Sequence, residues 1–198
     1  DEAVAIAQLF PAKDVTLLLG GQATEASVRN LAGEARVMHL ATHGYVDDSR
    51  PLASYLGLTA GPAAAATRSA SNDGRLTARE LFDIHLNRPL VTLSACNSAS
   101  GRITGDGVIG LTRGFLSAGA STVVASLWRV ADRPAEFQMK RFYQELATSR
   151  GLVARSMRQA QLATLEALRQ RKLIRTDGTA FAENPLYWAP FVVVGNAG

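Results

Sequence analysis

The chain has 198 residues, 47% of them hydrophobic, and a formal net charge of +4. That is apolar material for one sizeable core, so a single domain over residues 1–198 is expected rather than two small ones. No run approaches the roughly eighteen consecutive apolar residues of a membrane helix, which excludes a helical membrane protein and leaves no reason to expect a membrane partner.

The first residues, "DEAVAIAQLFP", lack an initiator Met, a basic region ahead of an apolar one, and a small-residue cleavage site. They are not a signal peptide and read instead as part of an amphipathic helix within a longer chain. One cysteine cannot form an internal disulfide, which leaves a buried thiol, a reactive thiol or an intermolecular bridge. A reducing cytoplasm suits the first two, and a cytoplasmic location is expected.

Short apolar runs rich in β-branched residues alternate with segments of helical period, the pattern of a parallel sheet with helices on its faces. The first strand is expected at 15–20, "VTLLLG". Gly20 and Gly21 follow it without the Lys-Ser/Thr of a phosphate loop or the spacing of a dinucleotide fingerprint, so they make a turn. Thr24 is placed to cap a helix over 24–35. A strand over 36–43 ends on His43, and glycine and acidic turn residues come next. A strand at 55–60 leads into "AGPAAAATRSASNDG", whose small polar residues predict a flexible surface loop over 60–74. Thr77 then caps an expected helix over 77–86.

The strand at 90–96 ends on Cys96, fifty-three residues after His43. A helix over 107–118 stops at Gly119, a strand follows at 121–128, and a helix over 134–148 stops before Gly151. The next helix, 152–171, begins a basic stretch of Arg155, Arg158, Arg169, Arg171, Lys172 and Arg175. Aromatics are not interleaved with these charges and one face carries Leu, Met and Ala, so a solvated helix face is expected and nucleic acid is not expected as a direct ligand. The last strand is expected at 191–195.

In an open parallel sheet, ligands bind beyond the carboxyl ends of the strands. His43 and Cys96 both stand at such ends, and neighbouring central strands would bring them together. An imidazole beside a thiol can take its proton, stabilise the thiolate and later protonate a leaving amine. Gly44 allows a sharp turn and an unobstructed N–H, and the N–H of Cys96 is a second donor for an oxyanion. Taken singly, each residue has an ordinary structural role, the cysteine as a small core residue and the histidine as a satisfied polar one. His39 lies on the same strand as His43, about 13 Å away by rise per residue, too far to share a metal ion. His85 has no evident partner, and neither a metal nor another cofactor is expected. Ser94 and Ser98 flank the cysteine, but the G-x-S-x-G elbow of a serine hydrolase is absent.

The segments "HLATHGYVDD", "PLASYLGL", "DGRLTARELFDIHLNRPLVTLSACNSASG", "GDGVIGLTRGFLSAGASTVVASLWRVAD", "RFYQEL" and "NPLYWAPFVVVGN" resemble, in this order, the CHAT family of caspase-like cysteine peptidase domains. The resemblance implies an α/β fold of caspase type, a three-layer sandwich whose mostly parallel central sheet has helices on both faces. It implies a Cys/His dyad of Cys96 and His43, with the backbone N–H groups of Gly44 and Cys96 as oxyanion donors. The implied activity is endopeptidase cleavage of a protein or peptide substrate through an acyl-enzyme. Because such domains commonly end longer bacterial chains, an upstream TPR-like or other regulatory partner domain is implied as well. "LWRVADRPAEF" is similar to the separase segment that carries an acid into a pocket for a substrate arginine, which makes Asp132 and Glu136 candidates for substrate binding. Asp106 and Trp128 are further candidates, with a helix N-cap and a core plug as their respective structural roles. The competing function is a catalytically silent, caspase-like interaction or scaffold module.

Overall fold

The computed structural model describes residues 2–47, 49–61, 72–94, 96–97, 105–149 and 151–196. They form a mixed α/β fold with a mostly parallel four-stranded sheet flanked by helices, as the caspase-like resemblance implies. The strands are β1 (Val37–Leu40), β2 (His43–Tyr45), β3 (Tyr55–Gly57), β4 (Arg75–Thr77), β5 (Leu90–Leu93), β6 (Cys96–Asn97), β7 (Thr122–Ser126) and β8 (Phe191–Gly195). The α-helices are α1 (Glu2–Ala7), α2 (Glu25–Ala32), α3 (Gly105–Ser117), α4 (Asp132–Thr148), α5 (Val153–Arg169) and α6 (Pro185–Trp188). Two compact units divide the chain: residues 18–127 with 194–196, and the residues up to 17 with 128–193.

In the unit of residues 18–127, β1, β5 and β7 lie parallel, with Val37 opposite Leu90 and Leu90 opposite Thr122. Every residue of β5 and β7 is buried, which is what a continuous apolar run achieves in a parallel sheet covered on both faces. The strand order is β1-β5-β7-β8, and beyond β8 the amide of Asn196 donates to the Ser121 carbonyl at 2.9 Å.

Neither of the two long strands expected at 36–43 and 90–96 runs unbroken. The first divides into β1 and β2, the second into β5 and β6, and the later pieces join a second sheet of order β4-β3-β2-β6. Both breaks skip the same number of residues, so the parallel register between β1 and β5 is inherited by β2 and β6. The second sheet turns one face to the core. Its central residues Gly44, Leu56 and Leu76 are buried, while their neighbours on the same strands face outward. Leu56 and Leu76 join Val91, Leu93, Phe115 and Val123 in one apolar cluster, each such side chain contributing about 1.5–3 kcal/mol by leaving water.

Two expected elements differ. Residues 15–19 are extended but join no ladder among the described residues, and Leu17 and Leu19 are 38% and 41% exposed, so this apolar run has no core to face. The helix expected over 77–86 is instead the end of β4 and a 3-10 turn at Glu80–Asp83. Thr77 still caps: its hydroxyl accepts from the Glu80 amide at 3.2 Å, and the Glu80 carboxylate accepts from the Thr77 amide at 2.9 Å. That reciprocal pair satisfies a single turn, which is all the pairing of β4 leaves room for. Thr24 caps α2 as expected, its hydroxyl accepting from the Ser27 amide at 3.1 Å. Gly119 ends α3 with φ at +111°, where an added Cβ would lie 2.4 Å from the Leu86 carbonyl. The expected 60–74 loop falls largely, at 62–71, outside the described residues.

In the other unit, α4 packs along α5, and Met139, Phe142 and Tyr143 are fully buried. Phe10 meets Tyr143 edge to face at 6.0 Å. Leu168, Leu173 and Phe181 form a second cluster with Tyr187 and Trp188 against it. The late basic stretch is a solvated face in part: Arg155 and Arg158 are exposed, Arg169 pairs with Glu183 at 3.0 Å, and Arg175 stands 4.3 Å over the Phe181 ring.

Candidate functional site

The two strand ends meet. β2 and β6 pair in parallel with His43 opposite Cys96 and Gly44 opposite Asn97. Adjacent strands lie about 4.8 Å apart, so positions 43 and 96 are lateral neighbours within one ladder. On its other side β2 pairs antiparallel with β3, which sets His43 opposite Gly57. His43 is exposed, while Gly44 is buried on the core side of the same strand. Position 96 therefore has an exposed imidazole beside it, and the buried glycine of the following row anchors that imidazole's strand.

Local chemistry fixes β2 at both ends. Just before it, the Thr42 hydroxyl donates to the Gly57 carbonyl across to β3. Just after it, Asp47 organises the turn: its Oδ1 accepts from the Ser49 amide at 3.1 Å, the Ser49 hydroxyl at 2.7 Å and the Arg50 amide at 2.9 Å. The Ser49 hydroxyl, then the Arg50 amide and guanidinium, hold the Asp47 carboxyl below its ordinary pKa. The acidic residue after "HGY" is thus a turn former. Its neighbour Asp48 lies outside the described residues.

A buried carboxylate supports the far edge of the small sheet. Glu25, fully buried in the first turn of α2, accepts with Oε1 from the amides of Gly74 at 2.7 Å and Arg75 at 2.9 Å. Its other oxygen has no hydrogen-bond partner among the described residues. Burial pushes its pKa up, the two amides pull it down less, and the charges of Glu80 and Asp73 add to the rise.

The remaining candidates stand elsewhere. Asp106 is the second residue of α3, inside its first turn rather than before it. Asp132 is an exposed acid in the first turn of α4, where a negative charge complements the helix dipole. Glu136 lies one turn further along α4 and is half-buried. Trp128 is half-buried rather than a core plug, and its indole N–H donates to the Leu186 carbonyl at 3.0 Å in an exposed hydrogen bond. Trp128, Asp132 and Glu136 belong to the unit of residues 128–193, whereas His43, Gly44 and Cys96 belong to the other. His39 sits opposite Thr92 on β1, and His85 is exposed between buried Ile84 and Leu86. Among the described residues no group of three or more metal-ligating side chains is found, and no helix is long and apolar enough to cross a membrane.

Four residues to which the sequence assigned no role lie on the same outer face as His43: Tyr45, Tyr55, Gly57 and Arg75. The period-two alternation of "YLG" and "RLT" around a buried Leu is the signal that carries them. It is weak in three-residue strands.

The family model described as CHAT domain matches residues 1–196. Tetratricopeptide repeat protein 28 of Mus musculus is 35% identical over 121 residues, covering 61% of this chain and 4% of that protein. Tetratricopeptide repeat protein 28 of Homo sapiens is 34% identical over 121 residues, with the same coverage of 61% and 4%. The chain thus matches only a small part of these relatives, which are mammalian and carry tetratricopeptide repeats in their name, whereas the chains evoked by the family resemblance were bacterial.

Proposed function

Because the chain belongs to the CHAT domain family, whose members are related to caspase-like cysteine peptidases, we propose that it is a cysteine endopeptidase with Cys96 as nucleophile and His43 as its base. The observation that carries this reading is the register of β2 against β6, which sets His43 opposite the chain's one cysteine. The imidazole of His43 takes the thiol proton, and the Cys96 thiolate attacks the carbonyl carbon of the scissile peptide bond. The negative charge that develops on the carbonyl oxygen is met by the backbone N–H groups of Gly44 and Cys96. As the tetrahedral intermediate collapses, the C–N bond breaks, His43 delivers its proton to the departing amine, and a thioester remains on Cys96. Water then gives a proton to His43 and attacks the thioester, which releases the carboxylic acid and returns the proton to the thiol.

The tetratricopeptide repeats named in the relatives support the further reading that a repeat region regulates this domain. The test is cleavage of a fluorogenic peptide library by the wild-type chain, Cys96→Ala and His43→Ala. The dyad predicts losses on the order of a thousandfold or more in both variants, since nucleophile and base act as one unit. Wild-type turnover in either variant overturns the reading, and folded wild type without any turnover favours the silent interaction module.

A further inference from the structure

The outer face of the small sheet carries chemistry that the dyad does not use. Register pairs align Arg75, Gly57, His43 and Cys96 in one lateral row across four strands, and Thr77, Tyr55 and Tyr45 in the row beside it. Tyr45 and Tyr55 stack with ring centroids 5.0 Å apart and planes 18° from parallel. The Arg75 guanidinium stands 5.3 Å over the Tyr55 ring. Tyr45 is 43% exposed and Arg75 is exposed, so this aromatic and cationic surface is open to solvent.

Between Arg75 and His43 the row has no side chain, because its member there is Gly57. A Cβ at that position would lie 3.9 Å from the His43 Cβ, so it would stand on the same face as the imidazole. The result is a lane about two strand spacings wide, roughly 10 Å, between the backbone positions of His43 and Arg75, with the Arg75 guanidinium standing over the Tyr55 ring of the row beside it. Arg75 has no carboxylate partner for its guanidinium among the described residues. Its neighbour Asp73 is committed to the Arg75 backbone amide at 2.8 Å. Glu25 likewise holds that amide and not the guanidinium.

We infer that this lane is a substrate subsite, and that Arg75 selects a peptide carrying an acidic side chain within about three residues of the bond that is cut. The inference rests on the endopeptidase reading and names the substrate class of that same site. An extended peptide rises about 3.3 Å per residue, so three residues span the distance from His43 to Arg75. A carboxylate there forms a charge-assisted pair with a guanidinium already oriented by the Tyr55 ring, and the Tyr45–Tyr55 stack offers a flat amphipathic floor for the neighbouring residue. Arg75 is a binding residue in this reading and takes no part in bond breaking.

The experiment uses matched peptidyl acyloxymethyl ketones, thiol-directed probes that differ only in carrying Glu, Gln or Lys at the second or third residue from the reactive carbonyl. Labelling rates are read for wild type, Arg75→Gln and Arg75→Glu, each divided by the iodoacetamide rate of the same protein. That division separates peptide binding from thiol reactivity. Wild type is expected to favour the Glu probe over the Lys probe by about tenfold, Arg75→Gln to flatten the preference and Arg75→Glu to reverse it. A wild-type rate indifferent to probe charge, or a Glu preference unaltered by Arg75→Glu, overturns the inference. The iodoacetamide rates of wild type and His43→Ala report on the dyad separately: equal rates would defeat the endopeptidase reading, whatever the probe preference.

Discussion

Replacing Gly110 by Ala sets two well-known effects against each other. Gly110 lies inside α3, where Ala is the better helix former by about 1 kcal/mol, so an isolated helix would gain stability from the change. In the folded protein α3 packs on the turn at Pro51–Ala53, and a Cβ at position 110 would come 2.8 Å from the Pro51 carbonyl oxygen and 3.4 Å from the Pro51 Cβ. The first contact is with backbone, which cannot swing aside as a side chain can. Forcing an extra carbon into such a site costs about 1–3 kcal/mol, and the balance is a net loss of up to about 2 kcal/mol. For a chain of this length each kcal/mol moves Tm by about 2–4 °C, so a fall of up to about 8 °C is expected by differential scanning calorimetry. A melting temperature raised by Gly110→Ala would show that helix propensity wins, and would refute the close approach of α3 to the Pro51 turn.

Further substitutions probe the small sheet and its supports. Gly57→Ala brings only ordinary contacts, with its Cβ 3.4 Å from the His43 carbonyl oxygen, and the stiffer strand is expected to match or exceed wild-type stability by up to about 1 kcal/mol in urea unfolding. Gly57→Leu, by contrast, fills the lane beside His43 and is expected to slow labelling by peptidyl probes about tenfold more than labelling by iodoacetamide, whereas equal slowing of both would contradict an open lane. Thr24→Ala removes the cap of α2 and is expected to destabilise by about 1 kcal/mol, read as a lower urea midpoint. Glu25 is held above its ordinary pKa of 4.5, chiefly by burial. Its native state therefore binds the proton more tightly than the unfolded chain does, and the stability it contributes is full below pH 4.5 and is lost as pH rises through the native value. The Tm of wild type minus that of Glu25→Gln should accordingly fall as pH rises from 4.5 towards neutrality, and a flat or rising difference would contradict the assignment.

The order of elements was legible because long segments carry their period clearly. The strands at β5, β7 and β8 and the helices α2 to α5 stand close to where apolar spacing, caps and glycine stops put them. The passage of both long strands from one sheet to the other was not legible, since the residues at the first break, Ala41 and Thr42, include no glycine or proline to announce it. β4 escaped for a related reason: three residues are too few for alternation to be told from the helical pattern of "TARELF", and tertiary pairing with β3 decides the outcome. The run at 15–19 shows the reverse error, β propensity without a surface to bury against. At the site, the chemistry of the paired strand ends could be read from residue types, whereas their register could not. Tyr45, Tyr55, Gly57 and Arg75 gain meaning only through that register, which gathers three ordinary short strands into one face.

The central claim is that His43 activates the thiol of Cys96. Its most direct measurement is the rate of iodoacetamide labelling of Cys96 at pH 7 in wild type and in His43→Ala, with the labelled residue identified by mass spectrometry. Our account predicts rapid labelling of the wild type and a drop of about tenfold or more on loss of the imidazole. Slow labelling at the rate of a free thiol, unchanged by His43→Ala, would contradict it.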